Sequence, residues 1–222
     1  MVIKKANEKK LIRVKNLGGC TNFGGLDIVG SKMYTVKTKS TNKLSYISVY
    51  SNYKKTTRKN HKFVDCLGHA NGLCYANGNL YIAPCGKYVE VISTGDWKHH
   101  RLYCDTSVSS IAHVAGDQFI IGHGGGNVYK LYLVQPDGNK MVIKKRWDLK
   151  NPKHAAGYNI YQDVGYNKKN GCVYVVCTKN NYRTNLILRA KLYATDPDYG
   201  YTTKTGSAKY EMESIAFNSA GK

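Results

Sequence analysis

Five copies of a short apolar phrase constrain what this chain can fold into. They read Gly25-Leu26-Asp27-Ile28, Gly72-Leu73-Cys74-Tyr75, Ser110-Ile111-Ala112-His113, Asp163-Val164-Gly165-Tyr166 and Ser214-Ile215-Ala216-Phe217. After each of the first four comes a polar turn and a second apolar run: Met33-Tyr34-Thr35-Val36, Leu80-Tyr81-Ile82-Ala83, Gln118-Phe119-Ile120-Ile121 and Val173-Tyr174-Val175-Val176. The fifth copy is followed only by residues up to Gly221-Lys222. Short apolar runs bounded by turn residues are strand signals. The turns between them include Asn77-Gly78-Asn79, Thr94-Gly95-Asp96, Gln135-Pro136-Asp137-Gly138 and Asn170-Gly171. No long stretch has helical periodicity.

The phrases start at positions 25, 72, 110, 163 and 214, spaced by 47, 38, 53 and 51 residues. A four-stranded propeller blade takes roughly 40 to 50 residues, so the period predicts an all-β chain built of such blades. Third strands are expected at 44–50, 88–93, 128–134 and 186–192. Fourth strands are expected at 62–67, 100–104, 141–149 and, more faintly, 202–209. Residues 130, 132 and 134 should share one face of their strand, and 129, 131 and 133 the other. The expectation is a single β-propeller domain over residues 1–222 with five blades. Its closing blade would mix N-terminal strands at 2–6 and 10–17 with the fifth phrase, or be completed by residues beyond Lys222. Gly122-His123-Gly124-Gly125-Gly126-Asn127 resembles a phosphate cradle, but a strand rather than a helix follows it, so it reads as a hairpin turn.

Charge is the strongest compositional signal. Lys and Arg number 34 against 14 Asp and Glu, a formal net charge of +20. From Ile28 to Val64 there is no acidic residue. A field of this sign attracts polyanions: an anionic glycan, nucleic acid or an acidic protein. The densest run holds Lys54, Lys55, Arg58, Lys59 and Lys62. It reads as a solvated hairpin loop and as the candidate polyanion-binding rim. Seven cysteines without a CxxC pair argue against a zinc ribbon and suit a reducing compartment. The N-terminus lacks the apolar core of a signal peptide, and no apolar run is long enough to span a membrane. A cytoplasmic or virion-associated protein is expected, and the open fifth phrase leaves room for it to be one part of a larger assembly.

Aligning the copies asks which side chains meet near a common axis. Residues just before or at the start of each phrase include Asn71, Gln162, Asp163 and Glu213, with His69 two positions upstream of Asn71. These five form the candidate ligand-binding group. Asp163, Glu213 and Asn71 offer the hard oxygens that Ca or Mg requires, and two carboxylates could perform acid–base work. Capping of strand ends by Asn, Asp and Ser explains the same residues structurally. The adjacent His99 and His100 would point to opposite strand faces and so could not share a metal. Trp97 and Trp147 read as outer-strand packing residues, and no nucleophile elbow, Walker motif or HExxH is present.

The segments His69-Ala70-Asn71-Gly72-Leu73-Cys74-Tyr75, Gln162-Asp163-Val164-Gly165-Tyr166 and Glu213-Ser214-Ile215-Ala216-Phe217 resemble the inner hairpins of bacterial and phage β-propellers. That group includes NHL-type, gluconolactonase-like and cell-wall or phage-associated propellers. The resemblance to the gluconolactonase-like group implies that Glu213, Asn71 and Asp163 hold a divalent metal. Resemblance to the cell-wall and phage group implies glycopolymer or partner binding. The expected function is a non-catalytic binding module that recognises an anionic partner through its channel face and basic rim. The alternative is a metal-dependent hydrolase or lactonase using the channel carboxylates.

Overall fold

The computed structural model describes residues 2–5, 16–51, 58–125, 128–152, 157–179, 184–204 and 212–222. These hold seventeen strands and no helix. Strand β1 (Val2–Lys5) comes first. The first unit is β2 (Asn22–Val29), β3 (Lys32–Thr38), β4 (Leu44–Tyr50) and β5 (Arg58–Val64). The second is β6 (Gly72–Ala76), β7 (Asn79–Ala83), β8 (Gly86–Ser93) and β9 (His99–Val108). The third is β10 (Ser110–Ala115), β11 (Gln118–Gly125), β12 (Val128–Asp137) and β13 (Lys140–Lys150). The fourth is β14 (Ile160–Asn167), β15 (Cys172–Thr178), β16 (Thr184–Lys191) and β17 (Tyr199–Lys204).

Each unit is an antiparallel meander, its four strands paired in chain order. The first unit stands as its own sheet, and the other three run together. They do so through two single-residue bridges, Lys140 with Tyr103 and Gly125 with Ile160. The apolar phrases form the first strand of each unit. The fifth phrase, Ser214 to Phe217, belongs to no strand.

The hydrophobic cores lie between units. The pleat turns Leu131 and Leu133 toward the fourth unit, where they pack with Val164, Val175 and Leu188. It turns Tyr132 and Val134 toward the second unit, where they pack with Tyr81, Val89 and Leu102. The alternation expected from the sequence of β12 is thus used on both faces. A third core joins Val36, Ile47 and Phe63 of the first unit to Leu73, Leu80 and Ile82 of the second. Burying each of these aliphatic side chains is worth about 1.5–3 kcal/mol. Trp147 is buried in the core between the third and fourth units.

A ring stack joins the first and second units at the outer strands, and a buried charge is paired within the second. The His61 ring stacks on Trp97 at 3.4 Å. Glu90, fully buried, accepts from Arg101 Nε at 3.0 Å and pairs with His99 Nδ1 at 2.5 Å.

First strands approach one another with little room between them. A Cβ on Gly25 would lie 2.6 Å from the backbone nitrogen of Leu73, and one on Gly24 would overlap the carbonyl of Ala70. A Cβ on Gly72 would lie 3.0 Å from the Cα of Ser110, and one on Gly165 would lie 2.8 Å from Ile215. Glycine opens the first two phrases because a side chain there would strike the neighbouring backbone. The contacts run β2 to β6, β6 to β10, β10 to β14, and β14 to the Ser214–Phe217 segment. Ser214 Oγ then accepts from the Leu26 amide of β2 at 3.2 Å, which returns the circuit to its start.

The expected mixed closing blade is not what forms around β1. This strand pairs in parallel with β17, at the outer edge of the fourth unit, in register Val2 with Tyr199. Leu17 makes only an isolated bridge to Cys20, and residues 10–15 lie outside those described. The outer edge of β17 offered unpaired backbone groups that β1 satisfies. The fourth strand of the first unit begins four residues earlier than expected, at Arg58, because its register against β4 holds it there.

Candidate ligand site in the central cavity

A first strand has a sheet neighbour on one side only, so its inner edge presents unpaired N–H and C=O groups. Polar side chains of the phrases supply the missing partners. Asp27 Oδ2 accepts from the Tyr75 amide at 2.7 Å, and its Oδ1 accepts from Ile28 at 2.7 Å. Asn71 Nδ2 donates to the carbonyls of Ser109 at 3.0 Å and Gln162 at 2.6 Å. Asp163 Oδ2 accepts from Ser214 Oγ at 2.5 Å and from the Ile215 amide at 3.3 Å. The Ser110 hydroxyl is hydrogen-bonded to that of Tyr161. Together these bonds tie all five phrases to one another.

Asn71, Gln162 and Asp163 are therefore brought together, and each is buried. His69 is not with them: its Nδ1 meets Asn42 Oδ1 of the first unit's hairpin turn at 3.2 Å. Glu213 is half-buried beside Ser214 in the C-terminal segment. Lys59 and Lys62 are exposed on opposite faces of β5, and Arg58 is its first residue. Lys54 and Lys55 lie outside the described residues.

Asp163 Oδ1 is buried without a partner, and its carboxyl is held well above the ordinary range. Loss of water is the main cause; the bonds from Ser214, Val164 and Ile215 oppose it, and the charge of Asp27 adds to it. These residues do not fit a Ca or Mg ion. Such an ion needs six or more oxygens around one point. Here one carboxylate oxygen is untaken, and the Asn71 amide nitrogen faces two carbonyls. No group of three or more His, Cys, Asp or Glu among the described residues could hold a metal.

Beyond this polar layer the first strands enclose a cavity of about 480 Å³. All five phrases line it. Their third positions are Asp27, Cys74, Ala112, Gly165 and Ala216, so one carboxylate stands in a ring of small residues. His113, Lys168 and Lys169 also line it, with the rings of Tyr75, Tyr166 and Phe217.

Lys168 Nζ lies 2.8 Å from His113 Nδ1, and His113 Nε2 lies 2.9 Å from the Gly116 carbonyl. An ammonium can only donate, so Nδ1 accepts and Nε2–H donates: the imidazole is neutral. Burial pushes the His113 pKa down, the Gly116 bond opposes this, and Lys168 reinforces it. Lys168 makes no salt bridge among the described residues. Its positive charge is thus held in place by a neutral group. Asp27 is pushed up to about 6 by burial, opposed by the amides of Tyr75 and Ile28 and by Lys168.

Sequence reasoning passed over Asp27, His113 and Lys168. The signal was present in the aligned third column, where Asp27 is the only charged residue.

Comparison with solved structures bears on this architecture. The chain is similar to the crystal structure of Myxococcus xanthus glutaminyl cyclase, with a TM-score of 0.66 and 11% identity. The match covers 91% of this chain and 84% of that one. The fold is β-propeller-like. A europium-containing methanol dehydrogenase also matches, with a TM-score of 0.43 and 11% identity, over 88% of this chain and 45% of that one. Identities this low concern the fold alone. No protein-family model and no curated protein matches the sequence.

Proposed function

We propose that this chain is a non-catalytic binding propeller of five blades that recognises an anionic partner at the mouth of its central cavity. In this reading Ser214 to Phe217 supplies the fifth inner strand, as its contacts with β14 and Leu26 support. The observation that carries the reading is Lys168, an ammonium fixed by neutral His113 at the edge of a ligand-sized cavity. Lys169 stands beside it, and both are exposed. The net charge of +20 speeds the approach of an anion from any direction, and Lys59 and Lys62 extend the attraction to the rim. The resemblance of the repeated phrases to the inner hairpins of bacterial and phage propellers is consistent with this role.

The test is a salt series. An acidic peptide, an oligouronate and a single-stranded oligonucleotide are titrated into the intact protein at low and at physiological ionic strength. Binding of at least one should weaken steeply with salt, and Lys168→Met should reduce it about tenfold. Indifference of every probe to salt and to Lys168→Met would overturn the reading.

A further inference from the structure

Resting on the anion-binding reading, we propose that the unit entering the cavity is an acidic sugar, a hexuronate ring of an anionic glycan. Three features of one half-open cavity lead there. Lys168, exposed at the cavity edge and in no salt bridge among the described residues, offers a positive charge for a carboxylate. Asp27 lines the same cavity and offers only acceptors: its two oxygens carry about four lone-pair sites, and the amides of Tyr75 and Ile28 use two. Tyr75, Tyr166 and Phe217 also line the cavity, the Tyr75 ring stacked on Tyr34 and the Phe217 ring tilted against Tyr174.

A bare anion would meet Asp27 and be repelled. A cationic ligand would meet Lys168 and the positive field of the whole chain. The ligand that satisfies both carries an anionic group for Lys168 and neutral donors for Asp27, which are hydroxyl groups. Their C–H faces pack on aromatic rings. The cavity volume of about 480 Å³ holds a sugar unit with its linkages and excludes a nucleic-acid duplex.

The experiment uses the full chain and isothermal titration with three probes of equal charge: a trigalacturonate, a triglutamate peptide and a tetranucleotide without terminal phosphates. Trigalacturonate should bind at least tenfold more tightly than the other two. Uncharged trigalactose should bind at least tenfold more weakly than trigalacturonate. Lys168→Met and Asp27→Asn should each lower trigalacturonate affinity tenfold or more. Because Asp27 also bonds to backbone, Tyr166→Leu provides a second variant; it should lower trigalacturonate affinity severalfold and leave triglutamate unchanged. Equal binding of all three anions, with loss on Lys168→Met alone, would overturn the sugar assignment and leave anion binding standing. Absence of binding by any anion would overturn both.

Discussion

Ser214 Oγ donates to Asp163 Oδ2 at 2.5 Å while accepting from the Leu26 amide at 3.2 Å, so one hydroxyl joins the first, fourth and fifth phrases. Removing it leaves a buried carboxylate and a backbone amide short of partners. Ser214→Ala is expected to destabilise the fold by about 1–3 kcal/mol. Ser214→Thr, which keeps the hydroxyl, should cost less. Urea denaturation of both variants measures the difference.

The crowding of first strands separates two kinds of glycine. At Gly25 an added methyl would lie 2.6 Å from Leu73 backbone, so Gly25→Ala should cost about 1–3 kcal/mol or more through overpacking. Gly30 has φ +59° and open space around it. There Gly30→Ala should cost about 1–2 kcal/mol, from backbone strain alone. Gly25→Ala should also disturb the cavity, seen as shifts in the amide resonances of β6, whereas Gly30→Ala should not.

Asp27 makes stability depend on pH. Its folded pKa of about 6 lies above that of an unfolded aspartate, near 4. Below pH 4 the group is protonated in both states and contributes nothing. As pH rises from 4 to 6 the unfolded chain releases its proton first, so stability falls, by at most about 3 kcal/mol, and then levels off. Asp163, also raised, acts in the same direction. Asp27→Asn should flatten the part of the pH–stability curve between 4 and 6, as read from denaturation midpoints.

Glu90 is buried while its partners His99 and Arg101 reach water. The two ways of breaking the pair are therefore unequal. Arg101→Met strands a charge inside the protein and should cost about 2–3 kcal/mol, below the full value for a wholly buried pair. Glu90→Gln leaves the exposed partners hydrated and should cost less. Thermal melts of the two variants decide the order.

His113 has a job only if Lys168 does. His113→Phe removes the acceptor that fixes the ammonium, so affinity for an anionic probe should fall severalfold. Its donor bond goes to the exposed Gly116 turn, so stability should change by under about 1 kcal/mol. Titration calorimetry and a melting curve on the same sample separate the two effects.

The phrases were legible because apolar alternation and tight turns report directly on strands, and β4 matches its expected bounds residue for residue. The strand β5 was misplaced because Arg58-Lys59-Asn60-His61-Lys62 has almost no apolar signal; pairing with β4 makes it a strand. The same cause hid the destination of β1, since parallel pairing with β17 depends on an edge that exists only after the fourth unit has formed. Asn71, Gln162 and Asp163 were legible as a group, because aligned repeats place equivalent positions together. Their work on backbone edges was not, because free N–H and C=O groups belong to the ring and not to any one repeat. His69 left the group because its neighbour Ala70 has φ +51°, which turns the chain sharply just before the strand.

The bond between Leu26 and Ser214 spans 188 positions of the chain. The circuit of first strands therefore stays open until Ser214 has been made and the four units before it have folded against one another. Contacts of such long separation slow folding. During synthesis, the face of the fourth unit destined for Phe217 waits uncovered, and the cavity has no fifth wall. Closure of the circuit arrives with the placement of a single serine.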